Sequence, residues 1–201
     1  MKSFLQSFFR RNIYLILAAI ILFASAYIVN FFLRSSASTK LLRNSIESFL
    51  QSREADFLKL SRDNSFPDRL LNEEYSKTDL EELLDKKYGI MLYETDTAGL
   101  PLLKFWSDQR SVLPDSMLKR PDGNYFVHLS NGQYEYIKKT IRGREGQPLL
   151  LAGLIPIRRQ YYIAPENLKP EFEGFPSAEK RVRIANTVTN FPVKSSFGNT
   201  L

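Results

Sequence analysis

The sequence predicts an α+β fold in which a long N-terminal helix precedes an antiparallel sheet of about five strands. The first observation is an apolar run over residues 13–33, after which the chain reaches Ser61 without a glycine or proline to interrupt a helix. The second is a change after Gly89, where the spacing typical of strands replaces helical spacing. The third is a set of turn signals, of which Asn131-Gly132 is the clearest. Helices followed by consecutive antiparallel strands are typical of the α+β class.

Residues 13–33 are predicted to form a transmembrane helix. These residues carry no charge, and about 20 apolar residues cross a ~30 Å hydrocarbon core at ~1.5 Å per residue. Lys2 and Arg10-Arg11 precede the run, so residues 1–12 are expected to form a cytoplasmic arm and the rest to lie outside the cytoplasm. A cleaved signal peptide is the alternative, because Ala24-Ser25-Ala26 is similar to a cleavage site.

Composition excludes several classes of function. A hydrophobic content of 43% and an aromatic content of 13% favour a folded domain over a disordered stalk. The chain has no cysteine and one histidine, which excludes disulfides, thiolate sites and imidazole-rich zinc sites, so no metal or cofactor is expected. The part beyond the membrane segment has 25 basic and 22 acidic residues, a charge too balanced for nucleic-acid binding.

Residues 34–61 are predicted to continue as a stalk helix. Apolar residues recur there near helical spacing, with charged residues between them. Two interpretations remain open. The helix covers the core of the following domain, or it is a dimerising stalk that transmits motion to the membrane.

Between the stalk and the sheet, the sequence predicts a loop and a second helix. Pro67 marks Asn64–Asn72 as a loop. Thr78-Asp79-Leu80-Glu81 fits a capping box, so a helix is expected to begin near Thr78 and to end before Gly89.

The sequence beyond Gly89 predicts five strands, of which the first two and the next two form antiparallel hairpins. The predicted strands are Ile90–Glu94, Leu102–Trp106, Asn124–Ser130, Gln133–Ile141 and Leu149–Ile157. The first hairpin turns at Ala98-Gly99, and the second is expected to turn at Asn131-Gly132, a pair suited to a type I′ turn. Arg110–Pro121 is predicted to be an irregular connection, and the last strand, which is mostly apolar, to be central.

Several of these stretches resemble a known family. They are Gly89–Tyr93 leading to Lys104–Asp108, Leu129–Tyr134, and Ala152–Ile157 with Tyr161-Tyr162-Ile163 and Asn167-Leu168. They are similar to the extracytoplasmic sensor domains of bacterial membrane sensor histidine kinases of the Bacteroidetes type, whose fold is PAS-like, of the Cache type. The resemblance covers roughly residues 1–170.

The resemblance implies the signal-input region of a two-component sensor histidine kinase. The chain would lie in the inner (cytoplasmic) membrane as a single-pass protein, with its bulk in the periplasm. It would form a homodimer through the stalk and respond to a small molecule or an envelope signal. The kinase's second membrane helix, phosphoaccepting histidine and ATP-binding domain have no counterpart in this sequence, so residues 62–201 are expected to be a sensor domain that is incomplete at its C-terminus.

A ligand pocket, if the domain has one, is expected near the aromatic strand residues. The candidate residues are Tyr93, Trp106, Tyr134, Tyr136 and Arg158. Pockets are mostly apolar with a few placed polar groups, which this set would supply. Packing in the core is the other interpretation for Trp106, and a solvated strand end is the other interpretation for Arg158.

No residue is assigned a catalytic role. His128 is predicted on the polar face of a strand, and the sequence has no GxSxG motif to support a triad of His128 with Ser107 and Asp108. The main alternative to a sensor region is a free-standing bitopic envelope protein that binds a partner or scaffolds an assembly. An envelope hydrolase is the weakest alternative.

Overall fold

The computed structural model describes residues 2–63, 65–72, 74–96, 99–109, 111–143, 146–160, 170–180, 182–185, 187 and 189–200, with side chains left out at 2–12, 31–38, 177 and 180. The helices are α1 (Lys2–Leu60), α2 (Phe66–Leu71), α3 (Lys77–Asp85) and α4 (Asp115–Leu118), with a 3-10 turn at Pro176–Lys180. The strands are β1 (Gly89–Thr95), β2 (Pro101–Trp106), β3 (Gly123–Leu129), β4 (Gly132–Arg142), β5 (Pro148–Arg159) and β6 (Glu171–Phe172). The predicted α+β class is confirmed. The chain divides into two compact units, Met1–Leu42 and Arg43–Leu201.

The first unit contains the apolar part of α1. Ile13–Asn30 has a mean hydropathy of 2.3 and buries none of its surface within the protein. It is the one helix among the described residues that is long and apolar enough to cross a membrane. The prediction of an N-terminal helix able to span a membrane is therefore confirmed. In a helix the backbone N–H and C=O groups form hydrogen bonds with one another, so such a segment can cross lipid without unpaired backbone groups.

The second unit begins with the part of α1 that packs on the sheet. Its buried residues recur at helical spacing, at Ile46, Leu50, Glu54 and Phe57. This is the stripe expected of a helix that covers a core. Phe57 is fully buried over Gly153, at the middle of β5.

Two helices differ from the prediction for residues 62–85. Pro67 lies in the first turn of α2 rather than in a loop, because proline has no N–H to lose there and its φ suits a helix. Helix α3 has Ser76 as its N-cap, not Thr78. The Ser76 hydroxyl accepts a hydrogen bond from the Asp79 N–H at 3.1 Å, and the Asp79 carboxylate accepts one from the Ser76 N–H at 3.0 Å. Asp79 therefore closes a capping box that begins at Ser76, two residues before the predicted start at Thr78.

The strands form one antiparallel sheet in the order β2-β1-β5-β4-β3, with β6 paired to the end of β5. All five predicted strands are confirmed, and β5 is central as expected. The predicted irregular connection contains the single turn of α4.

The hairpin between β3 and β4 differs from the prediction by one residue. Leu129 pairs with Gly132, so Ser130 and Asn131 make the turn and Gly132 is the first residue of β4. Gly132 has a φ of 147°, and a Cβ there would clash with the Arg158 carbonyl oxygen. The glycine is needed for the close approach of β5 rather than for the turn itself.

The sheet buries both of its faces. On the face covered by Phe57, Ile90, Leu92, Ile137, Leu151 and Ile155 are fully buried. On the other face, Met91, Tyr93, Tyr134, Tyr136 and Leu154 pack with Leu113 and Leu118 from the segment around α4. Alternation of side chains along each strand separates the two sets.

Candidate functional site

Three of the five residues predicted for a ligand pocket lie together in the core. Tyr93, Tyr134 and Tyr136 are only 5%, 4% and 0% exposed and belong to one packed cluster. The Tyr134 hydroxyl accepts a hydrogen bond from Ser111 at 3.0 Å, and the Tyr136 hydroxyl donates to the Met117 carbonyl at 3.3 Å. Burial raises the pKa of Tyr93 to about 12 and also raises that of Tyr136. All three tyrosines pack the domain interior, and Tyr93 and Tyr136 keep their protons at neutral pH.

Trp106 and Arg158 have different surroundings. Trp106 lies on the edge strand β2, where it pairs with Met91 of β1, and its side chain is 44% exposed. Arg158 is held by Glu179, with its Nε 3.0 Å and its second guanidinium nitrogen 2.6 Å from the two carboxylate oxygens. This bidentate ion pair raises the pKa of Arg158. Arg158 therefore attaches the 3-10 turn to the end of β5.

The residues of the weakest alternative, a hydrolase triad, lie at opposite edges of the sheet. His128 is exposed on β3, and Ser107 follows β2 and accepts a hydrogen bond from the Ile90 N–H at 2.9 Å. Strands β1, β5 and β4 lie between these edges. Because neighbouring strands are about 4.8 Å apart, Ser107 and His128 cannot form a nucleophile and base pair.

The most unusual chemical feature of the second unit is a pair of buried carboxyl groups. Glu54, on α1, and Glu135, on β4, are both fully buried. Glu135 lies on the face of the sheet that α1 covers, opposite Ile155 in the register of β4 with β5. Burial of one carboxylate without a cation is already costly, and burial of two adjacent carboxylates is more so.

Each carboxyl group has one oxygen with a hydrogen-bond donor and one without. The Asn124 side-chain amide donates to Glu135 Oε1 at 2.8 Å, and the Ser196 N–H donates to Glu54 Oε2 at 2.6 Å. Glu54 Oε1 and Glu135 Oε2 are buried without a partner. Asn199 donates in turn to the Asn124 side-chain oxygen. Helix α1, strands β3 and β4 and a C-terminal segment therefore meet at this site.

The C-terminal segment, residues 194–200, forms a closed turn on α1. Lys194 pairs with Thr200, and the Ser195 N–H donates to the Asn199 carbonyl at 2.9 Å. The Lys194 N–H donates to Glu47 at 3.0 Å, and Gln51 donates to the Lys194 carbonyl at 3.1 Å. With Glu54, these helix residues recur at intervals of four and three, so they form one face of α1.

The electrostatics of the pair favour retention of a proton. The pKa of Glu135 is raised to about 8, chiefly by burial and in part by the adjacent Glu54, and the Asn124 hydrogen bond opposes both. At neutral pH, Glu135 therefore holds a proton that it can donate to Glu54. The carboxyl pair can bind and release one proton at the point where α1, the sheet and the C-terminal segment meet.

The sequence analysis did not predict this site. Glu54 was visible as a carboxylate four residues after Leu50 in an apolar stripe, and Glu135 as one between Tyr134 and Tyr136. A charge in a buried stripe is the signal that could have identified them. Among the described residues, no group of three or more His, Cys, Asp or Glu could hold a metal ion.

Comparison of the chain with family models, with curated proteins and with solved structures found no match.

Proposed function

We propose that this chain is the membrane-anchored signal-input region of a two-component sensor histidine kinase, with a PAS- or Cache-like domain in the periplasm. The chain would lie in the inner membrane as a single-pass protein and act as a homodimer through α1. It would sense a small molecule or an envelope signal and would contribute no catalysis itself.

The observation that carries the proposal is the helix α1. One helix, Lys2–Leu60, contains both the apolar span Ile13–Asn30 and the stripe from Ile46 to Phe57 that packs on the sheet. A change in how the sheet holds the stripe would act on the helix that enters the membrane. Small shifts of packed helices are a common means of switching in proteins. The five-stranded antiparallel sheet beneath a long helix is also the architecture that the family resemblance implies.

The exposed side of α1 supports the proposed homodimer. Ser45, Ser48, Ser52 and Ala55 are exposed and follow one another at intervals of three, four and three residues. This is the spacing of the a and d positions of a heptad repeat. Small side chains allow two helices to approach closely along such a stripe. Because the sheet covers the opposite side of the helix, this stripe is available to a second copy.

The dimer can be tested with cysteine variants, since the chain has no native cysteine. We expect Ser48→Cys and Ser52→Cys in the full chain to form disulfide-linked dimers in membranes under mild oxidation, because facing residues come within bonding range. Lys77→Cys is the matched control, since this side chain lies on α3 and is 90% exposed. Equal cross-linking at all three positions would contradict a dimer through this stripe and would indicate random collision.

The input role can be tested by the size of the native product. An antibody against residues 35–201 applied to membranes of the source cells should detect a band much larger than 23.3 kDa, the mass of this chain. Such a band supports a sensor joined to a kinase. A band near 23.3 kDa contradicts a covalent input region and favours the alternative function.

The alternative is a free-standing bitopic envelope protein that binds a partner or scaffolds an assembly. The exposed apolar edge of the sheet favours this function. Leu102 and Trp106 on β2 and Leu100 directly before this strand are 53%, 44% and 57% exposed. Edge strands with exposed apolar side chains are sites where another chain can pair.

A further inference from the structure

We propose that Glu54 and Glu135 share one exchangeable proton, and that loss of this proton as the pH rises releases the C-terminal segment from α1. The site would thus respond to proton concentration through the packing of the C-terminal segment on α1. This inference is independent of the sensor role, because it depends only on the carboxyl pair and its neighbours.

The hydrogen bonds around the pair have room for one more donor. Two donors, the Asn124 amide and the Ser196 N–H, serve one oxygen of each carboxyl group. The two remaining oxygens, Glu54 Oε1 and Glu135 Oε2, are fully buried. A proton between them satisfies both and leaves the pair with a single negative charge. Without it, two adjacent buried charges repel each other in a medium of low dielectric constant.

The charged groups around the pair do not neutralise it. The ionisable side chains on the surrounding elements include Arg43, Glu47, Arg53, Asp56 and Lys59 on α1, Tyr125 and His128 on β3, Lys138, Lys139 and Arg142 on β4, and Lys194 in the C-terminal segment. Arg53 lies over the Phe49 ring, and Glu47 pairs with Arg43. His128 is exposed on the edge strand. In the part of the chain that the structure describes, no lysine or arginine forms an ion pair with Glu54 or Glu135.

The contacts also show what the proton holds in place. Ser196 donates directly to Glu54, and Asn199 is linked to Glu135 through Asn124. Ser196 and Asn199, which lie on the two sides of the turn at residues 194–200, are therefore both linked to the pair. Separation of Glu54 from Glu135 by charge repulsion would disturb both links at once.

The direction of the pH effect follows from proton linkage. Burial raises the pKa of Glu135 above its ordinary value of 4.5 to about 8 in the closed site. Between pH 4.5 and about 8, the site therefore binds more protons when the C-terminal segment covers it (closed) than when the segment is released (open). Closure is fully favoured below pH 4.5 and is weakened progressively until the pH reaches about 8. Above that pH the weakening is complete.

A buried reporter in the C-terminal segment can measure this opening. Ser195 is 4% exposed, and the chain has no other thiol, so Ser195→Cys reacts with a maleimide only when the segment opens. In the full chain in lipid nanodiscs, the opening equilibrium should rise by up to about tenfold per pH unit between pH 6 and 8. The same reporter with Glu135→Gln should show only the intrinsic pH dependence of the thiol, because glutamine donates the hydrogen bond permanently.

Glu47→Gln is the matched control. Glu47 also binds the C-terminal segment, through the Lys194 N–H, but it is not part of the carboxyl pair. This variant should keep the full pH dependence. If Glu135→Gln does not fold, Glu54→Gln removes the shared proton equally well. The infrared C=O stretch of a buried protonated carboxyl in the unsubstituted chain gives a second measurement, and it should vanish at high pH.

Three results would overturn the proposal. One is a labelling rate of Ser195→Cys that rises with pH as steeply when Glu135→Gln is also present as when it is not. Another is the absence of a protonated carboxyl band at pH 6. The third is protection of the reporter by added sodium or calcium at constant pH, which would show that a cation rather than a proton occupies the site.

Discussion

Replacement of Gly153 by alanine should destabilise the second unit by about 3 kcal/mol. A Cβ at this position would lie 2.7 Å from Cδ2 and 2.8 Å from Cε2 of the Phe57 ring. Phe57 is fully buried between α1 and the middle of the central strand, so neither side has free space into which to move. Urea unfolding of the full chain in detergent, followed by circular dichroism, measures the loss.

A second substitution tests whether the contact with Phe57 is the cause. Phe57→Leu removes part of the ring, so it should be destabilising alone and should reduce the cost of Gly153→Ala when the two are combined. Gly89→Ala is the matched control, because a Cβ there meets its nearest atom at an ordinary 3.5 Å. Equal losses for the two alanine variants would contradict the Phe57 ring as the source of the cost, because the lower entropy of the unfolded chain stabilises both variants alike.

Introduction of two arginines into the apolar span should abolish membrane anchoring. Leu17 and Ile21 lie one helical turn apart within Ile13–Asn30. An arginine near the centre of a membrane helix costs about 2.5–3.5 kcal/mol, so Leu17→Arg combined with Ile21→Arg should cost roughly twice that amount. Extraction of membranes with alkaline carbonate, followed by a blot, should find the variant in the soluble fraction.

The control for the anchor is Leu17→Ala combined with Ile21→Ala, which keeps the span free of charge. This variant should remain in the membrane pellet. Retention of the arginine variant in the pellet would contradict Ile13–Asn30 as the anchor. A shortened mature chain in the control would instead favour the cleaved signal peptide.

Local sequence signals were sufficient to predict most of the fold. The apolar run, the stripe on α1 and the period of the strands each depend on residues close together in sequence, so the helix and all five strands could be predicted. The boundaries were less certain because competing signals lie side by side. Ser76 and Thr78 could both serve as a cap, because each has an acidic residue three positions later, Asp79 and Glu81.

Features that depend on distant residues could not be predicted in the same way. The turn between β3 and β4 is displaced by one residue, and Gly132 lies against the Arg158 carbonyl of β5, a contact that local turn chemistry does not reveal. The carboxyl site shows the same limit more strongly. Glu54 and Glu135 each resemble a solvated charge in the sequence, and only the packing of α1 on β4 brings them together.

The contacts of the C-terminal segment on α1 have a consequence for the order in which the protein assembles. Ser196 is 142 residues from Glu54, and Lys194 is 147 residues from Glu47. Contacts of such long separation form late, because a large loop must close before they contribute. During synthesis, α1 leaves the ribosome before the C-terminal segment, and Glu54 stays uncovered until residue 196 has been made. We therefore expect closure over the carboxyl pair to be the last folding step of the unit.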